Sequence, residues 1–210
     1  MERKEQNTDN TVEPHDHKDR YLRVDAKRNN CALLQSALTV FTTSGVDAPI
    51  REIAKQAGVG VGTVYRHFPQ RSDLILAVIG QEMDNCAEAA TTLTAKHAPG
   101  EALALWMQTY VDFILSIPGL AAALHSSDPA YEALTESFDS HFIPILESLL
   151  HAASNAGETC PNISSTGLLN AASSLCLKIT NFDPAVARDL VSLLIDGLRY
   201  RSYINQQSSK

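Results

Sequence analysis

The sequence predicts an all-α protein: a short three-helix unit near the N-terminus, a connecting helix, and a second helical domain. Three observations predict it. Apolar residues recur at i, i+3, i+4 and i+7 in segment after segment, the spacing of one helix face. The segments are separated by glycine and proline punctuation at Gly45, Pro49, Gly58, Pro99-Gly100, Pro118-Gly119, Gly157, Pro161 and Pro184. The chain has 210 residues with 44% hydrophobic and 20% charged content, enough for one or two domains with a real core.

Met1 to Val24 is a polar, mixed-charge stretch that cannot bury enough surface to order itself, and it is expected to be a disordered tail. His15-Asp16-His17 within it lacks a third fixed ligand and reads as solvated chain rather than a metal site. The first helix begins at Asp25, placed as an N-cap, and ends near Gly45. Its predicted buried stripe is Leu34, Ala37, Leu38 and Phe41, with Leu33 and Val40 beside it.

Residues 50–68, IREIAKQAGVGVGTVYRHF, carry the strongest pattern in the chain. Ile50, Ile53, Ala54 and Ala57 form one apolar face; Gly58-Val59-Gly60 breaks it; Val61, Val64, Tyr65 and Phe68 resume the same spacing. Two short helices joined by a glycine-containing turn make a helix-turn-helix, which can set its second helix in the DNA major groove. Pro49 is expected at the first position of the first of these helices, leaving Ala48 as a poor N-cap. On the second helix Val61, Val64 and Phe68 are expected to face inwards, with Tyr65 at the border and Gly62, Thr63, Arg66 and His67 outwards. Gly62 lets the backbone approach DNA closely. Thr63 can donate to a phosphate or touch a thymine methyl, and the Arg66 fork suits guanine O6 and N7. Arg51 can reach a phosphate or a base edge. Few of these side chains carry base donors, so DNA shape is expected to contribute to specificity. The glycine run is not a nucleotide loop, since the preceding strand, the lysine and the spacing are missing.

Charge is distributed to match. The whole chain is −7, but residues 1–24 are net −1, residues 25–71 net +3 and residues 72–210 net −9. That polarity suits a protein that touches DNA with one end only. Lys18, Arg20 and Arg23 could add minor-groove or backbone contacts, as N-terminal arms do.

The helix predicted from about Gln70 to Ala95 opens on Arg71, a cation that opposes the helix dipole unless a phosphate lies nearby, with Asp73 as a possible local partner. After His97-Ala98-Pro99-Gly100 a helix to about Ile117 is expected, then a short one from Leu120 to Leu124. Residues from Pro129 to Ala156 read as a longer pair, kinked or divided by Pro144. Two last helices are expected, from Ser164 to Thr180 and from Asp183-Pro184 to about Tyr203, followed by a polar tail over 205–210. The last helix is apolar on more than one side, along Ala187, Leu190, Val191, Leu194 and Leu198 and at Val186, Leu193 and Ile195. A helix buried on two sides at the end of a chain points to a partner.

The stretch from Asp25 to Val78, about a quarter of the chain, resembles the DNA-binding domain of the TetR family of bacterial regulators. The resemblance rests on IAxxAGV followed by GTVYRHF and then Arg71-Ser-Asp73-Leu74-Ile75, closest to members carrying AGVGxGTxYRHFPxR. It implies an N-terminal helix-turn-helix domain over 25–71, a connector over about 70–95, and a regulatory and dimerisation domain over 97–204. It also implies phosphate contacts by the tips of Tyr65 and His67, and by Arg71 where the family usually has lysine. Many members have Ser or Thr near Ala48; this chain departs, and that contact is not carried over. A mostly apolar ligand pocket is implied in the second domain, with Trp106, Met107, Tyr110, Phe113, Leu124, Phe138, Phe142 and Leu175 as its candidate lining. The last two helices are implied to pair with their copies in a four-helix dimer interface, through Leu190, Val191, Leu194 and Leu198.

Nothing in the second domain reads as catalysis. It holds no nucleophile elbow, paired metal ligands or phosphate loop, and His125 and His141 are isolated. No catalytic residue, metal or cofactor is expected. Cys31, Cys86, Cys160 and Cys176 are scattered and read as reduced thiols. No apolar run approaches the ~20 residues of a membrane span and the N-terminus has no secretory h-region, so the chain is expected to be cytoplasmic. The expectation is a homodimeric repressor that binds a palindromic operator and leaves it when a small apolar ligand tilts the connecting helix. Two alternatives stay open: a DNA-binding regulator without an inducer, and a helical enzyme or carrier whose basic end is incidental.

Overall fold

A computed structural model describes the backbone of residues 30–177 and 183–208, with side chains as far as residue 200. The polar tail with its histidine pair, Lys18, Arg20, Arg23 and the Asp25 cap, and the predicted helix end at Thr180, lie outside the described residues. The helices are α1 (residues 30–44), α2 (Ile50–Gln56), α3 (Val61–His67), α4 (Arg71–Lys96), α5 (Pro99–Ser116), α6 (Leu120–Leu124), α7 (Glu132–Asn155), α8 (Ser165–Leu175) and α9 (Pro184–Ser208). A 3-10 turn over Pro129–Tyr131 leads into α7. There is no strand among the described residues.

Local chemistry explains most of these bounds. Pro49 has an extended ψ of 134°, so helical geometry begins one residue later than expected, and Pro49 is itself the N-cap of α2. α2 ends in a Schellman motif: the Val59 amide donates to the Ala54 carbonyl and the Gly58 amide to Lys55, with Gly58 at φ +67°. α4 starts with a capping box, in which the Gln70 amide donates to Asp73 Oδ2 at 2.9 Å. Asp73 thus serves the helix end and not Arg71. The Ser164 hydroxyl caps α8 by accepting from the Gly167 amide at 3.0 Å.

Pro144 does not divide the long helix. α7 runs unbroken from Glu132 to Asn155 with Pro144 inside it. Phe138, Phe142, Leu146, Leu149 and Ala153 bury one side of that helix on both flanks of the proline. Apolar burial of about 1.5–3 kcal/mol per large side chain outweighs one missing backbone hydrogen bond. α8 stops at Leu175, earlier than expected, and α9 extends beyond Tyr203 to Ser208.

The buried stripe of α1 is rotated from the predicted one. Leu33, Ala37, Val40 and Phe41 are buried, whereas Leu38 is exposed and Leu34 lies at the core's edge. Together with Ile53, Ala54 and Val64 they make the core beneath α2 and α3. The larger core lies among α4, α5 and α7. Trp106 is fully buried at its centre, and its indole N–H donates to the Cys86 carbonyl of α4 at 2.9 Å.

Candidate nucleic-acid interface

α3 stands on its core by Val64, with Phe68 half-buried beside it. Its outward surface carries Gly62, Tyr65, Arg66 and His67, all exposed, with Thr63 half-buried at the edge. Val61, expected inside, is the first residue of α3 and is 40% exposed. It presents its methyl groups on this face. Arg51 on α2 is exposed as well. A Cβ built on Gly62 meets nothing within 4 Å, so this position is open on its outer side.

Arg71 is engaged by the protein's own backbone. Its guanidinium Nε donates to the Val46 carbonyl at 2.8 Å, and Nη2 donates to the carbonyls of Val46 and Ala48. The cation at the head of α4 therefore answers the carbonyls of two buried residues of the α1–α2 turn, and the dipole conflict inferred from sequence is relieved inside the protein. Beside it the Tyr131 hydroxyl donates to Asp47 Oδ1. Burial, and secondarily that bond to the Asp47 carboxylate, pushes the Tyr131 phenol up to about 12, so it stays a neutral donor. The same turn also meets the α5–α6 turn. The Val46 amide donates to the Pro118 carbonyl at 3.0 Å. Gly45 and Gly119 flank this contact with φ of +86° and +82°. A Cβ on Gly45 would lie 3.0 Å from the Pro118 carbonyl oxygen, and one on Gly119 3.3 Å from a Val46 methyl. Both positions need glycine for conformation and for clearance. Partners lying 72 residues apart (Val46 and Pro118) or 84 (Asp47 and Tyr131) gave no signal in the sequence.

The residues proposed from sequence to line a ligand pocket are brought together, but as a packed core. Trp106 stacks on Tyr110 at 5.9 Å, Tyr110 meets Phe142 edge-on at 5.2 Å, and Phe113 stacks on Phe138 at 5.8 Å. Trp106, Met107 and Phe142 have no exposed surface. Leu124 and Leu175 pack at the margin. The cavity bordered by Tyr110, Leu124 and Phe138 measures about 10 Å³, room for one water at most. Aromatic rings at helical spacing here fill space rather than enclose it.

The second face of α9 is also displaced from expectation. Val191 is fully buried within the chain, with Ala187 and Ile195 one turn to either side. Leu194 and Leu198 are half-buried against the same core. The outward stripe is Val186, Leu190, Leu193 and Tyr200, with Leu193 68% exposed. Only Leu190 of the four residues singled out from sequence lies on it. The outward spacing is 4, 3, 7, a heptad-like seam that the sequence did contain. Among the described residues no three His, Cys, Asp or Glu side chains gather to hold a metal, and none of the four cysteines is in a disulfide. No helix of the described residues is long and apolar enough to cross a membrane.

Comparison with known proteins bears on the whole arrangement. Residues 33–78 match the model described as bacterial regulatory proteins, tetR family. Residues 98–200 match the C-terminal domain of SbtR-like transcriptional regulators. A TetR transcriptional regulator from Streptomyces coelicolor is 34% identical, the match covering 80% of this chain and 97% of that one, with a TM-score of 0.54. A TetR regulatory protein from Mycobacterium vanbaalenii is also 34% identical, over 85% of this chain and 99% of its own, with a TM-score of 0.52. FadR from Bacillus subtilis, solved with stearoyl-CoA, has a TM-score of 0.58 over 79% of this chain and 97% of its own. At 19% identity it shows the fold alone. HTH-type transcriptional regulators of Staphylococcus aureus are 41% identical over 64 residues, 30% of this chain, and the match spans only 35% of their length.

Proposed function

The chain belongs to the TetR family of bacterial transcriptional regulators, and from that premise we propose that it is a homodimeric, cytoplasmic repressor of a palindromic operator, without enzymatic activity. Residues 25–71 are its DNA-binding domain, α4 is the connector, and residues 97–204 regulate and dimerise. One observation carries the reading: α3 holds a side with Val61, Gly62, Tyr65, Arg66 and His67 all exposed, anchored below by Val64 on a closed core. A helix so mounted enters the major groove as a rigid body. Arg66 reads a base, and Val61 and Thr63 offer methyl or hydroxyl contacts. Tyr65, His67 and Arg51 hold the phosphates, and Gly62 allows close approach. Arg71 holds the α1–α2 turn at the base of this unit and leaves phosphate contact to its neighbours.

The copies meet along Val186, Leu190, Leu193 and Tyr200 of α9, whose exposed apolar stripe needs a cover. A dimer sets two recognition helices at half-sites about one or more helical turns apart. A small apolar effector releases the operator by binding the DNA-incompetent state more tightly.

Selection of genomic fragments by the purified chain at near-physiological salt tests the reading. A palindromic motif is expected, with Arg66→Ala blurring one position in each half-site. Binding without any enriched motif, vanishing at modest salt, would mean only non-specific phosphate contact and would return the second domain to consideration as a carrier or enzyme.

A further inference from the structure

The α5–α6 turn that seats Val46 is also the wall of a cavity. Beside it a space of about 330 Å³ is lined by Ile114, Ile117, Pro118, Gly119, Ala122 and Cys176 among others, and none of its lining among the described residues is charged. That volume lies at the lower end of small-molecule sites, and its lining is apolar as theirs are. Burial pushes the Cys176 thiol up to about 11, so this sulfur stays neutral. Two other clefts are of similar size but different character. One, of about 460 Å³, is edged by Glu147, His151 and the serines that begin α8; the other, of about 360 Å³, is an open groove between α4 and α7 near Thr91 and Pro144. Neither of those linings includes a residue that bonds to the α1–α2 turn.

We propose that the cavity behind Pro118 and Gly119 is the effector site of this protein, taking a small, neutral, apolar molecule, and that its occupation reaches the DNA-binding helices directly through the Pro118–Val46 contact. The inference rests on the regulator reading and adds where the effector sits and how it is felt. Pro118 and Gly119 both line the cavity and meet Val46: the Val46 amide bonds the Pro118 carbonyl, and a Cβ on Gly119 would lie 3.3 Å from a Val46 methyl. α2 begins four residues after Val46, and α3 packs on α2. A ligand that shifts the 118–119 turn therefore displaces the start of the helix-turn-helix without first moving the packed aromatic core around Trp106. Coupling arises to the extent that the ligand prefers the shifted turn.

The test uses the full chain and N-phenyl-1-naphthylamine, a neutral probe that fluoresces in apolar surroundings. The parent is expected to bind one probe per chain. Ala122→Trp fills the cavity from its exposed rim, and Leu115→Trp fills it from α5 should the first variant fail to fold. Either is expected to weaken probe binding at least about tenfold, while Thr91→Trp, in the α4–α7 groove, leaves it unchanged. On the selected operator the probe is expected to lower the affinity of the parent and of Thr91→Trp about fivefold or more, and to leave the folded cavity-filling variant unaffected. No probe binding by the parent, or equal binding by the filled variants, overturns the site. Probe binding that leaves operator affinity unchanged overturns the transmission. Loss of the dimer in Ala122→Trp also overturns the site, since the face would then be covered by a second copy. If the protein selects no operator at all, the regulator reading fails, and the probe titration still decides the cavity.

Discussion

Replacing Arg71 by alanine separates two roles that one cation can play at the head of α4. The Arg71 guanidinium reaches two carbonyls, of Val46 and Ala48, in a half-buried setting. Hydrogen bonds from a charged donor contribute about 1.5–3 kcal/mol each; counting one per carbonyl at the low end, for partial exposure, gives about 3 kcal/mol. In a chain of this length that lowers Tm by about 6–12 °C. Arg71→Lys keeps the charge but offers a compact ammonium without the fork, and is expected to recover only about half of the loss. The assay is thermal unfolding of the free protein, followed by circular dichroism, with an operator titration across salt concentrations beside it. A phosphate contact alone would leave the free protein's Tm in place and cut the salt slope by about 1. A shift in Tm below about 1 °C for Arg71→Ala would refute the structural role.

Other outcomes follow from neighbouring contacts. Leu193→Glu sets a charge in the exposed α9 stripe and is expected to shift sedimentation from dimer to monomer with Tm of the monomer fold retained, whereas Val191→Ala is expected to cost about 2 kcal/mol of fold stability by opening the buried side; the reverse pattern would mean the interface lies on the other face. Gly119→Ala places a Cβ on a residue at φ +82° and 3.3 Å from Val46, and a loss of about 1–2 kcal/mol is expected from the left-handed conformation alone, measured by urea unfolding. Because the folded-state value of Tyr131 is raised to about 12, its contribution to stability is full below about pH 10, the unfolded value, and is lost as pH rises towards 12. Tyr131→Phe should therefore flatten the alkaline fall of stability over that window, and an unchanged slope would show that the phenol does not titrate differently on folding.

The sequence by itself determined the helices and their order, and the two helices of the helix-turn-helix most sharply of all. These features are local. Glycine and proline set the breaks, the 3.6-residue period sets the faces, and the exposed set at Gly62, Tyr65, Arg66 and His67 follows from one helix standing on Val64. Single-helix periodicity is blurred where apolar residues occur all round: Leu38, predicted in the buried stripe of α1, is exposed, and Val191, predicted at a dimer interface, is buried within the chain. Pro144 misled for a related reason, since a local helix breaker was overruled by burial along the whole of α7.

Only the tertiary structure decided what the charged and aromatic side chains face. Arg71 was legible as a cation out of place at a helix head, but its partners are carbonyls 23 and 25 residues earlier, held there by packing of the whole α1–α2 turn. The aromatic residues of α5 and α7 were legible as one cluster, yet whether rings at that spacing enclose a cavity or fill it depends on interhelical distances that no periodicity encodes. The junction of Val46 with Pro118 and of Asp47 with Tyr131 joins residues 72 and 84 positions apart. A hydrogen bond there needs both turns placed to within a fraction of an ångström. That precision comes from the packed cores beneath the turns and not from the residues at the contact.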